Sequence, residues 1–199
     1  IENKPKGKLI IDALKNLQHI PDVVVVCDGS GKIPFNNIPN VFQELISDLS
    51  ISCVMANRKG FKAVTNFRYL LERLEIFSLR KYHKHTNVIP DGQCGLWAYR
   101  YGKLNINGKE EEIKLSAEGY EIELDLINEV LFKKLSYSFV DISLPEIPLT
   151  TSYAYIDNFK KLKFLCTKCD KLKDCIHDYT KEFESTDEGK ELLKKLQKE

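Results

Sequence analysis

Residues 23–31 read VVVVCDGSG, four consecutive valines and a cysteine followed by a carboxylate and two glycines. β-Branched side chains are stiff at χ1 and favour extended backbone. A run with no polar alternation suits a strand covered on both faces. The stretch therefore predicts a buried strand over 22–27 that stops at Asp28 and turns on Gly29 and Gly31, with Pro34 just beyond. What surrounds this strand decides the class of fold.

Upstream, residues 8–18 place apolar side chains at helical spacing. Downstream, Pro39 introduces an amphipathic helix with Val41, Phe42, Leu45, Ile46 and Leu49 on one face. Residues 51–57 read as a second buried strand and residues 63–82 as a long helix. A short strand is expected at 96–100, a hairpin around Asn107-Gly108, a helix over 120–135 and an edge strand ended by prolines after 136. Residues 153–165 are aromatic-rich and helical toward their end, and 180–199 read as one charged helix.

This alternation predicts an α/β fold, a mostly parallel sheet flanked by helices, with a small C-terminal helical appendage. The expected division is a main domain over 1–165 and an appendage over 166–199. Ligands bind such sheets at the carboxyl ends of strands, which is where Asp28, Asn57-Arg58 and the loop around Asp91 fall.

Composition narrows the function classes. Lysine and arginine (30) nearly balance aspartate and glutamate (29), so no global field points to nucleic acid. Nothing approaches the ~18 consecutive apolar residues of a membrane helix, and the polar start IENKPKGK carries no apolar signal core. Six cysteines in a chain of 199 residues do not make a disulfide scaffold. A reducing, cytoplasmic compartment is expected, with association to the cytoplasmic membrane face and a homo-oligomer left open.

Three clusters carry candidate chemistry. Asp28 is either the corner of an Asp–Gly turn or a ligand for Mg²⁺ or Mn²⁺, hard cations that bridge a carboxylate to a diphosphate. Asp91 and Gln93 lie in the loop IPDGQCG, where Asp91 is a turn residue, a general base on a hydroxyl or an acceptor-site ligand. Cys166, Cys169, Cys175 and His177 are spaced C-x2-C-x5-C-x-H. They fit a structural Zn²⁺ site, free thiols or a disulfide, the last half-site being unusually short. His83 and His85 read as solvated loop residues, and Trp97 and Tyr99 as core.

Taken in order, Gly7-Lys8, VVVVCDGSG, Ala56-Asn57-Arg58 and DGQCG at 91–95 resemble glycosyltransferase family 2, in its dolichyl-phosphate mannosyltransferase-like branch. The acidic helix 117–130 and the strand around 142–153 extend the likeness across about residues 6–165. The resemblance implies a glycosyltransferase A-type fold and inverting transfer from a nucleotide-sugar donor to a lipid-phosphate, saccharide or protein acceptor. It implies donor contacts from Asp28, Ser30 and Arg58 through Mg²⁺ or Mn²⁺, Asp91 as catalytic base, and acceptor contacts from Gln93 and Arg68. Ser30 stands where the family has a second acid, and the family's first nucleotide-binding strand is expected ahead of Gly7, so the domain reads as N-terminally incomplete. A non-catalytic binding or assembly module keeping the fold, and a sugar nucleotidyltransferase, are the alternatives.

Overall fold

The computed structural model describes residues 4–30, 32–59, 66–106, 108–144, 154–169 and 171–197. The chain divides into two compact units, Ile1–Phe61 with Pro90–Ile147, and Lys62–Ile89 with Pro148–Glu199. The expected boundary at 165/166 falls inside a helix, and the long helix of the first half groups with the C-terminal helices.

The first unit opens with α1 (Lys6–Lys15), β1 (Val23–Cys27), a single 3-10 turn (Phe35–Asn37), α2 (Ile38–Ser47) and β2 (Cys53–Arg58). It continues with β3 (Leu96–Arg100), the hairpin β4 (Leu104–Ile106) and β5 (Lys109–Glu111), α4 (Ile122–Phe132) and β6 (Tyr137–Ile142). Gly108 takes φ +79° in the hairpin turn, the left-handed conformation a tight reversal needs.

Four strands form one sheet in the order β1-β3-β2-β6. β3 runs antiparallel to β1 and to β2, while β2 and β6 pair in parallel. β1, β2 and β6 thus share one direction, as helical crossovers require. The α/β class with flanking helices is as expected: three of the four strands share one direction, and β3 alone is reversed between β1 and β2. The reversed β3 has a functional consequence: its entry loop arrives at the edge where β1 and β2 end.

Strand alternation sorts the side chains onto two faces. Val54, Ala56, Cys94, Leu96 and Ala98 join Val41 and Leu45 of α2 in one buried core, against which Val23, Val25 and Cys27 pack. The other face carries Trp97 and Tyr99, both buried, opposite Met55 and Cys53. Arg100 ties β3 to the end of α2, donating from Nη2 to Leu45 O at 2.7 Å and from Nε to Ile51 O at 2.8 Å. It thereby satisfies a carbonyl that a helix end leaves without an intrahelical donor.

The second unit is helical: α3 (Asn66–Tyr82), α5 (Ala154–Lys168), α6 (Leu172–Ser185) and α7 (Asp187–Leu196). α3 packs on the other three, with Phe77 against Phe183 at 5.4 Å between ring centroids. Arg73 holds Glu188 at 2.6 Å and donates to Ile89 O at 2.9 Å. The expected single tail helix is broken at Thr186, whose side chain caps α7 by accepting from Gly189 N at 3.0 Å. Among the described residues no helix is long and apolar enough to cross a membrane.

Candidate functional site at the strand ends

β1 delivers Asp28 to the sheet edge, where its N–H donates to Gly95 O at 2.9 Å. The carboxylate lies over Gly95 itself. An ideal Cβ on residue 95 would come within 2.1 Å of Asp28 Oδ2 and 2.2 Å of its Cγ. Only glycine lets the carboxylate adopt this position, which links the VVVVCDGSG strand to the DGQCG loop by direct contact.

Asp28 has a cationic neighbour that sequence reading missed. Lys6 Nζ lies 2.5 Å from Asp28 Oδ1, and its second partner is Glu123 in the first turn of α4. Lys6 and Glu123 are the buried members, with side chains 16% and 8% exposed, against 36% for Asp28. Burial works against the charged form of Lys6, but Glu123 and Asp28 outweigh it and hold the ammonium pKa above the ordinary lysine value.

The backbone holds Lys6 in place. Gly7 N donates to Gly119 O at 3.2 Å and Lys8 N to Glu118 O at 2.8 Å. A Cβ on Gly7 would meet Ala117 O at 2.1 Å, so glycine permits this close approach. The 116–117 segment is in turn bound by Asp125 of α4, whose Oδ2 accepts from Ser116 N at 2.6 Å and Ala117 N at 2.9 Å. Lys8, the lysine of the Gly-Lys pair singled out from sequence, instead faces Glu118 at 3.8 Å and is half-buried.

A second cluster forms at the end of β2. Arg58 grips Asp91 through a planar fork, Nε to Oδ2 at 2.6 Å and Nη2 to Oδ1 at 2.8 Å. The Arg58 N–H adds a bond at 3.1 Å and the Gln93 N–H one at 3.0 Å. Burial alone would raise the Asp91 pKa, but the Arg58 fork and charge and the two amides hold it below the ordinary carboxylate range. The structure thus places Asp28 against Gly95, and Arg58, Asp91 and the Gln93 amide together, within one unit.

Other expected residues stand apart. Ser30 is exposed, its Oγ accepting from Lys32 N at 3.5 Å. Arg68 lies on α3 in the second unit, and its side chain is outside the described residues. Trp97 and Tyr99 are core, as read from their alternation. The four zinc candidates do not converge: Cys169 is buried, Cys166 and Cys175 are half-buried and His177 is exposed. Cys175 and His177 lie on the continuous helix α6, where residues two apart point about 200° from each other around the axis. Of the readings left open for this cluster, that geometry does not gather the four side chains around one tetrahedral centre.

Among the described residues no group of three or more histidine, cysteine or acidic side chains is placed to cage a metal. What Asp28 offers is a single half-exposed carboxylate on an anchored turn. That suits Mg²⁺ or Mn²⁺, which commonly binds through one or two carboxylates with substrate phosphates completing its shell.

No protein-family profile matches the chain, and no curated protein resembles it in sequence. Solved structures resemble it in fold. Glucosyl-3-phosphoglycerate synthase from Mycobacterium tuberculosis in complex with uridine diphosphate superposes with a TM-score of 0.58 at 15% identity. The match covers 83% of this chain and 55% of that one. The same enzyme with Mn²⁺, uridine diphosphate and phosphoglyceric acid superposes with a TM-score of 0.59 at 14% identity, covering 83% and 54%. The fold is therefore that of the nucleotide-sugar transferases of glycosyltransferase A type, and this chain spans about half the length of the synthase it matches.

Proposed function

We propose that this chain is part of an inverting glycosyltransferase that takes a sugar from a nucleotide-sugar donor and passes it to a lipid-phosphate, saccharide or protein acceptor. The observation that carries the reading is Asp28 seated on Gly95 at the carboxyl end of β1, with Lys6 on its other oxygen. The nucleotide and Mn²⁺ in the matched synthase structures support it.

In this reading Asp28, with Ser30 beside it, holds Mg²⁺ or Mn²⁺ against the donor diphosphate. The ion supplies neutralisation of the charge that builds on the leaving diphosphate. Lys6, tethered by Glu123, adds a positive charge next to that position. Arg58 acts by positioning: its fork on Asp91 fastens the 91–95 loop to β2, and so keeps Gly95 under Asp28.

Asp91 is the proposed base on an acceptor hydroxyl, but its two oxygens are occupied by Arg58 and its pKa is depressed. It takes a proton only when an acceptor displaces part of that fork. A phosphate acceptor is already anionic and needs no base, so the arrangement favours a lipid-phosphate acceptor. Gln93 is the proposed acceptor contact.

The test is release of nucleoside diphosphate from a panel of UDP- and GDP-sugars with Mn²⁺, with and without polyprenyl phosphate. Acceptor-dependent release should fall by about 10²-fold or more in Asp28→Asn, the scale of losing a charge-stabilising group. Nucleotide binding with no release from any donor would favour a non-catalytic module instead, a reading to which the exposed Ser30 lends weight.

A further inference from the structure

We propose that Lys6 is a resident counter-cation for Asp28 that keeps a divalent metal off this carboxylate until a nucleoside diphosphate arrives. The inference rests on the reading of Asp28 as the metal–diphosphate residue and adds the order in which the two ligands enter.

The geometry supplies the competition. Asp28 turns Oδ1 to Lys6 Nζ at 2.5 Å and Oδ2 toward Gly95. An oxygen accepting from an ammonium at contact distance has one of its lone pairs engaged, and a cation brought to the same oxygen meets a like charge a few ångströms away. Ser30 leaves Asp28 as the only carboxylate of the Asp28–Ser30 turn, and the neighbouring acid, Glu123, is engaged by the same Lys6 ammonium.

Lys6 is also built to stay. It sits at the start of α1, which Gly7 anchors against Ala117, and Glu123 holds its ammonium from the other side. When the ammonium leaves Asp28 it remains tethered by Glu123 beside the turn. A diphosphate changes the balance because it brings anionic oxygens for both cations, the metal and the released ammonium. Metal and diphosphate then bind with positive coupling, each raising the affinity for the other by the same factor.

The experiment is titration with Mn²⁺, read from the paramagnetic resonance signal of the free aquo ion, with and without UDP. It compares the wild-type chain with Lys6→Met, Lys6→Arg and the double variant Lys6→Met/Glu123→Gln. The double variant leaves no buried carboxylate unpaired and so guards against a variant that does not fold. Both Met-containing variants should bind Mn²⁺ alone about tenfold more tightly than wild type and lose most of the UDP coupling, while Lys6→Arg stays close to wild type.

Unchanged or weaker Mn²⁺ affinity in both Met-containing variants, with wild type still binding UDP and Mn²⁺ together, overturns the role of Lys6 alone. If wild type binds no UDP with Mn²⁺, the reading of the Asp28 site falls and this inference falls with it.

Discussion

Asp28 and Gly95 occupy one another's space: the carboxylate of the first lies where the second would carry a Cβ, 2.1 Å from Oδ2. Gly95→Ala therefore drives the carboxylate off its seat. The obstructing atoms are the end of a side chain, so the fold should persist with a stability change under about 1 kcal/mol. Binding of UDP with Mn²⁺ should weaken by at least about tenfold, since small misplacements at a reacting centre are costly. Chemical denaturation and calorimetry on the same variant check the two halves of this expectation.

Gly7 provides the contrasting case. A Cβ there meets backbone, Ala117 O at 2.1 Å, which cannot swing aside. Alanine normally stabilises a helix relative to glycine, yet Gly7→Ala should destabilise by about 2 kcal/mol through overpacking. A urea unfolding curve showing the variant as stable as wild type would contradict the described approach of α1 to the 117–119 segment.

Local chemistry made Asp28 legible in the sequence, because a valine run ending in Asp–Gly states both a strand and its stop. The DGQCG loop was equally legible, although not the reason for its last glycine. Lys6 and Glu123 were not, since they meet across 117 positions and nothing near either names the other. Strand direction was hidden for a related reason: the polar stretch before Leu96 shows a long connection but not the edge at which it re-enters the sheet. The break at Thr186 was readable, since Ser185-Thr186-Asp187-Glu188 is a capping sequence inside a charged run.

Asp91 should report its pairing through pH. Its folded pKa is depressed below the ordinary aspartate value of 3.8, so its contribution to stability is complete above that value. It is lost as pH falls below 3.8 through the depressed folded value. Asp91→Asn removes the forked ion pair with the Arg58 guanidinium and should cost about 3 kcal/mol at neutral pH. The difference between wild type and variant should shrink as pH is lowered into that window; a difference independent of pH down to acid unfolding would contradict the pair.

For the cysteines, opposite facings of Cys175 and His177 on α6 predict well under one zinc per chain in protein prepared without chelator. Cys175→Ala should leave the thermal midpoint within about 2 °C of wild type, because no metal is lost with the thiol. Stoichiometric zinc by elemental analysis would contradict this expectation.

The central claim is that Asp28, on its Gly95 seat, holds a metal–diphosphate. Calorimetric titration of UDP into the chain, with Mn²⁺ and then with chelator, tests it most directly when repeated on Asp28→Ala. Binding should be saturable with Mn²⁺, weaker by at least about tenfold under chelator and abolished in Asp28→Ala. UDP binding of equal strength in Asp28→Ala and wild type would contradict it.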